Sequence, residues 1–187
     1  REVFVEVVAP VTLVIVGAGE IAVYLVGLAR TLDFRTVVID ARAAFLTEDR
    51  FPEADLLLLG WADELADAAG IDEWSVVVAI AHDARADDPA LAVALRRGAR
   101  YVGALGSRRT HAARIERLRA RGLREAELAR IHAPIGLDLG GRTPADIALG
   151  ILAEIVAELN REVGVAAVGV PRLADGEGRD DERPEPA

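Results

Sequence analysis

Residues 14–22 read VIVGAGEIA. An apolar, β-branched run breaks at Gly17, and a helix-compatible stretch resumes at Glu20. Gly17, Ala18, Gly19, Glu20, Ile21 and Ala22 fit G-x-G-x-x-G/A. In that loop the first glycine permits a tight turn, the second lets backbone approach a phosphate, and the last small residue keeps the helix close to the sheet. The next strand, RTVVID, ends in Asp40, where an acid can bond a ribose hydroxyl. Arg42 follows two residues later and could admit a 2′-phosphate, so NAD and NADP both stay open. Glu20 has two readings. A carboxylate at a helix N-terminus is favoured by the dipole by about 0.3–1 kcal/mol, a reading that implies an empty anion site. Alternatively its side chain points away and leaves the backbone N–H groups for a phosphate.

Working outward, short apolar runs alternate with helical patterns. Strands are expected over 13–16, 35–40, 55–60, 75–83 and 101–107, with a strand-like segment from Val3 broken by Pro10. Helices are expected over 20–32, 62–69, 88–97, 108–121, 124–131 and 144–162. Asp88 and Pro89 read as N-cap and first position of one helix, and Thr143 and Pro144 of another. Ile147, Ile151, Ile155 and Leu159 recur at spacing four. The alternation predicts an α/β, Rossmann-like single domain, a mostly parallel sheet with helices on both faces. Ligands of such sheets bind beyond the carboxyl ends of the strands. Gly17–Glu20, Asp40, His82–Asp83 and Gly103–Ser107 therefore form one expected neighbourhood.

The domain is expected over residues 1–162, with 1–9 as a linker strand from a preceding domain. The chain opens inside that strand and holds no Met, the pattern of a fragment lacking an N-terminal part. Residues 163–187 form a charged Pro/Gly tail, expected to be disordered. Apolar residues make up 52%, yet no run approaches the ~18 needed to span a bilayer. A net charge of −9 argues against a nucleic-acid surface. The 22 basic residues are all Arg and there is no Cys, which excludes a Schiff base, a P-loop lysine, a thiolate nucleophile, a zinc–thiolate site and a disulfide. No signal peptide is visible, so a cytoplasmic location is expected. His82, His111 and His132 show no metal-ligand spacing, and no metal site is expected.

His82 and Asp83 end the fourth expected strand and are the candidate catalytic pair, since a His there could donate to a ligand or shuttle a proton. The alternative is a neutral His satisfied by backbone or by Asp83. GALGSRRTH brings Gly106 and Ser107 to a helix start, with Arg108, Arg109 and His111 in its first turns. Cations there oppose the helix dipole, and anion recognition would supply their reason. The alternative is a solvated basic face running on through Arg114, Arg117, Arg119 and Arg121, preferred from Arg117 onward. Asp87, Asp88 and Asp146 read as first-turn acids.

Taken together, VFVEVVAP, VIVGAGEIA, VVIDAR, AHDARADDPAL, YVGALGSRRTH and HAPIGLDLGGRTPADIALGILAEIVA closely resemble the xanthine dehydrogenase accessory protein family (XdhC/CoxI), in its C-terminal Rossmann-like domain. The resemblance runs from about Val3 to Val156. It implies an accessory role, rather than catalysis, in maturing molybdenum hydroxylases such as xanthine or carbon monoxide dehydrogenase. Such proteins bind the molybdenum–pterin cofactor, assist its sulfuration and pass it to the apo-enzyme, the expected partner beside a second copy in a homodimer. The sequence departs from the family at Glu20, usually His, and at Ala81 and Ala84, where THDP becomes AHDA. Full-length members also carry an N-terminal domain with a Cys implicated in cofactor binding, absent from this chain. Two other readings stay open: an NAD(P)-dependent oxidoreductase with His82 or Asp83 near the hydride centre, and a ligand-free module that dimerises or docks through its last helix.

Overall fold

The computed structural model describes residues 10–162. Among them, six strands form one sheet in the order β3-β2-β1-β4-β5-β6, every pairing parallel. In chain order the elements are β1 (Thr12–Val16), α1 (Glu20–Arg30), β2 (Arg35–Asp40), β3 (Leu56–Leu59), α2 (Ala66–Ala69), β4 (Val76–Ala79), α3 (Ala84–Arg96), β5 (Tyr101–Ala104), α4 (Arg108–Ala120), α5 (Glu125–Leu128), β6 (Ile131–His132) and α6 (Pro144–Glu162). The strand order reverses between β1 and β4, which puts a crevice at the carboxyl end of β1.

The central strands are apolar throughout because both faces are covered. Val14, Val16, Val37, Ile39, Val77 and Ala79 face one core, shared with Leu91 and Leu95 of α3 and Leu118 of α4. Leu13, Ile15, Val38, Val76 and Val78 face the other, shared with α1 and α6. There Ala22, Leu25, Val26 and Ala29 meet Ala148, Ile151, Leu152 and Ile155, all buried. The spacing-four stripe of α6 therefore packs on α1, and its alanines let the two helices approach. The start of α6 is closed by reciprocal bonds. Asp146 N donates to Thr143 Oγ1 at 3.2 Å, and Thr143 N donates to Asp146 Oδ2 at 3.0 Å, a capping box with Asp in the usual Glu position.

Several local expectations change: the helix expected over 62–69 is only Ala66–Ala69, and the strand expected over 101–107 ends at Ala104. α3 begins at Ala84 with Asp83 as its N-cap, so Pro89 lies inside the helix; there it forgoes one backbone bond, and Asp88 is no cap. β4 stops at Ala79, after which Ile80 N still bonds Val16 O at 2.9 Å. The helix expected over 124–131 is only Glu125–Leu128, and Ile131–His132 joins the sheet as β6. The strand expected from Val3 and the charged tail lie outside the described residues. Among the described residues, no helix is long and apolar enough to cross a membrane.

Candidate functional site

The glycine loop leaves β1 under tight constraint. Gly17 has φ +110°, and a Cβ on it would stand 2.6 Å from both Cα and N of Ala81. Its N–H donates to Ile39 O at 2.8 Å, and that of Ala18 to Asp40 Oδ2 at 2.8 Å. Gly19 then caps α1 with φ −77° and no side-chain cap bond, and a Cβ there would meet nothing within 4 Å. The first amides of α1 are thus left without a side-chain acceptor, in the arrangement that binds anions. Glu20 does not cap them. Its carboxylate pairs with Arg50 at 2.9 Å, while Arg50 Nη1 donates to Ala18 O at 2.8 Å and Phe45 O at 2.7 Å.

Beside the loop, the carboxyl ends of β1 to β4 enclose a cleft of about 200 Å³, lined by Gly17, Asp40, Arg42, Trp61, Asp83 and Arg85 among others. Arg42 bonds Asp40 through Nε at 2.9 Å and Nη2 at 2.8 Å, and lies 4.3 Å over the ring of Phe45. Burial pushes the Asp40 carboxyl upward, but hydrogen bonds from Arg42 and from the Ala18 and Arg42 amides hold it below its ordinary value. Asp83 accepts from Arg85 N at 2.9 Å and Arg85 Nη2 at 2.8 Å. These bonds, the side-chain ones first, lower it to about 2. His82 is exposed, with φ 59°, and does not line the cleft, whereas Asp83 does.

The turn after β5 lies outside that lining. Gly106 has φ +136°, and Ser107 caps α4 by accepting from Thr110 N at 3.2 Å. Arg108 and Arg109 are exposed and have no hydrogen-bond or ion-pair partner among the described residues. Beneath them the basic face is not uniformly solvated. Arg114 is 2% exposed; its Nη2 donates to Leu105 O at 2.9 Å and stands 3.7 Å from Asp87 Oδ2. Asp87 Oδ1 accepts from Ala81 N at 3.1 Å, and Arg117 Nη2 bonds the buried Asp88 at 3.1 Å. A buried ionic pair thus ties the loop after β4 to the loop after β5. Desolvation raises Asp87 to about 6 and lowers Arg114. His132 is placed elsewhere, with Nδ1 3.0 Å from Glu154 Oε1 and its ring stacked on Tyr101.

The structure therefore gathers Gly17, Asp40, Arg42 and Asp83 in one cleft and sets Gly106–Arg109 on the adjoining turn. Trp61, Arg85, Arg50 and the Asp87–Arg114 brace were not singled out by sequence reasoning; the double acid before Pro89 was the only available hint. Chemically the cleft offers two guanidinium groups and one indole; the amides of Gly17, Arg42, Gly60, Ala81 and Arg85 on its wall are bonded within the chain, and the open amides of α1 lie outside its lining. Among the described residues no hydroxyl, imidazole or amine lines it, and both of its carboxylates are held ionised by arginines.

Comparison with known proteins matches residues 13–155 to the model of the XdhC Rossmann domain. A protein of Bacillus subtilis named as a probable xanthine dehydrogenase subunit is 28% identical over 149 residues, covering 80% of this chain and 43% of that protein. The molybdenum cofactor insertion chaperone PaoD of Escherichia coli is 36% identical over 90 residues, 48% of this chain and 28% of PaoD. A crystal structure described as a xanthine dehydrogenase from Bacillus halodurans superposes with a TM-score of 0.70 at 27% identity, over 81% of this chain and 43% of that one. This chain spans less than half of each of these proteins. The glycine loop, the Asp40 corner, the β5–α4 turn and the first half of α6 all fall inside the matched span, and this chain belongs to the XdhC Rossmann-domain family.

Proposed function

We propose that this chain is the cofactor-handling domain of a maturation factor for molybdenum hydroxylases. It binds a phosphate-bearing cofactor, a molybdenum–pterin or a dinucleotide, for sulfuration or insertion into an apo-enzyme. The observation that carries this reading is the pairing of uncapped α1 amides at Gly19 with a cleft that holds donors but no acid–base pair. The likeness to a protein named for molybdenum cofactor insertion supports it. The open approach to Gly19, where even a Cβ would meet nothing, fits a phosphate there. In this reading the amides of Gly19, Glu20 and Ile21 hold the phosphate and Arg42 borders the remainder, with Ser107, Arg108 and Arg109 reaching a further anionic group. The described residues hold no group of three His, Cys, Asp or Glu side chains that would grip the metal itself. The domain acts as a homodimer in the cytoplasm, with the apo-enzyme as its partner.

Calorimetric titration of the chain with the molybdenum–pterin cofactor, NAD(H) and NADP(H) tests the reading. Saturable binding without turnover, weakened in Gly19→Ala, is expected. Nicotinamide oxidation or reduction at a catalytic rate would instead make the protein an oxidoreductase, and no binding at millimolar ligand would leave a docking module.

A further inference from the structure

The glycine loop and the turn after β5 are joined beneath the surface by two side chains. Gly17 lies against the backbone of Ala81, where a Cβ on the glycine would stand 2.6 Å from both Cα and N. The Ala81 N–H donates to Asp87 Oδ1 at 3.1 Å. On its other side Asp87 presents Oδ2 to Arg114 Nη2 at 3.7 Å, and that nitrogen donates to Leu105 O at 2.9 Å. Arg114 Nη2 also stands 3.8 Å from the place of a Cβ on Gly106. Ser107 follows as the cap of α4, with Arg108 and Arg109 after it. A continuous line of contacts therefore runs from Gly17 to Gly106, and its two charged side chains are each 3% exposed.

Holding α3 against α4 does not require this pair, because Leu91, Leu95 and Leu118 already share an apolar core there. Burying two charges costs desolvation, and apolar residues in their place are often neutral or stabilising. The compensation here is incomplete: Arg114 Nε and Nη1 are buried without a hydrogen-bond partner among the described residues. What the pair supplies is position. One carboxylate oxygen holds the peptide against which Gly17 packs, and one guanidinium nitrogen holds the carbonyl just before Gly106. Neither side chain lines the cleft.

We propose that Asp87 and Arg114 are positioning residues for the cofactor, coupling the glycine loop to the β5–α4 turn so that the two segments act on one ligand as a unit. This rests on the reading that both segments contact that cofactor, and it adds the residues that set their spacing.

A double-mutant cycle on the 187-residue chain tests the coupling, with Gly19→Ala and Arg108→Ala as its arms. The probes are the molybdenum–pterin cofactor and NAD⁺, titrated by calorimetry. Uncoupled contacts on separate segments give losses that multiply. In the wild-type background the double variant should bind at least about threefold tighter than the product of the two single losses implies. Asp87→Asn with Arg114→Met removes both charges and the link between them; in that background the two losses should multiply to within about twofold. A merely structural role would lower stability without abolishing the non-additivity. Circular dichroism checks folding, and if the paired variant does not fold, Asp87→Asn alone takes its place with the same expected result. Losses that multiply in the wild-type background, or a shortfall that persists in the Asp87 background, overturn the proposal while cofactor binding stands. Failure of both probes to bind the wild-type chain at millimolar concentration removes both readings.

Discussion

The Glu20 carboxylate stands 2.9 Å from the guanidinium of Arg50, and the same arginine bonds the carbonyl of Ala18 in the glycine loop. The acid inside the loop thus braces it from the flank instead of occupying the anion position. Glu20 is 68% exposed, so the pair contributes about 0–1 kcal/mol, and Glu20→Gln should change the urea midpoint little. Removing a negative charge beside the α1 amides should tighten a phosphate ligand by about two- to fivefold at low salt, an effect that fades as salt screens it. A loss of binding in titrations of this variant would show that Glu20 itself touches the ligand.

The two loop glycines should separate stability from binding. Gly17→Ala meets Ala81 backbone at 2.6 Å with φ at +110°, and should cost at least about 2 kcal/mol in chemical denaturation. Gly19→Ala has open space and a permitted φ, and should cost less than about 1 kcal/mol. Its methyl would nevertheless stand where a phosphate approaches, and affinity should fall about tenfold. Equal stability losses for the two variants would refute the division.

β1 and β2 were legible because burial on both faces demands an unbroken apolar run, as Leu13–Val16 and Val37–Ile39 show. β6 was not, because two residues, one of them His132, carry no pattern. Asp88 and Pro89 imitate a helix start, whereas the true cap, Asp83, follows His82 in a left-handed conformation that local composition does not flag. Arg117 read as solvated, and its side chain is 41% exposed, yet it also bonds the buried Asp88; the burial of Arg114 against Asp87 was not legible, because spacing on one helix cannot reveal acids facing it from another, here α3. The loop and Asp40 could be placed from sequence. That Arg42 saturates Asp40 is a matter of side-chain geometry, and so is the bracing of Ala18 by the distant Arg50.

Asp87 should leave a signature in the pH dependence of stability. Desolvation raises its carboxyl from 3.8 to about 6 in the folded chain, against the pull of the Ala81 amide and Arg114. The native state then holds more protons than the unfolded chain between these values. The contribution of this group is therefore complete below about pH 4 and is lost as pH rises through about 6. Relative to Asp87→Asn, the wild-type chain should lose roughly 2 kcal/mol between about pH 4 and pH 7. Urea titrations at several pH values, with the variant subtracted, isolate this group from the other carboxyls; a flat difference would mean that Asp87 stays ionised throughout.

Arg108 and Arg109 pose the converse case, in which function and stability pull in opposite directions. Both sit exposed in the first turn of α4, without a partner among the described residues, where a cation opposes the dipole by about 0.3–1 kcal/mol. Replacing either with Ala should leave the thermal midpoint unchanged or slightly raised. If the turn contacts an anionic part of the cofactor, each loss should weaken binding by about tenfold, since hydrogen bonds to charged groups are worth roughly 1.5–3 kcal/mol. The contrast with Arg114 makes the test specific. Arg114→Ala removes the bond to Leu105 O and leaves Asp87 buried and unpaired, which should destabilise by about 3 kcal/mol or more. A titration in which Arg108→Ala and Arg109→Ala bind the cofactor as tightly as the wild-type chain would confine the site to the glycine loop and the Arg42 cleft.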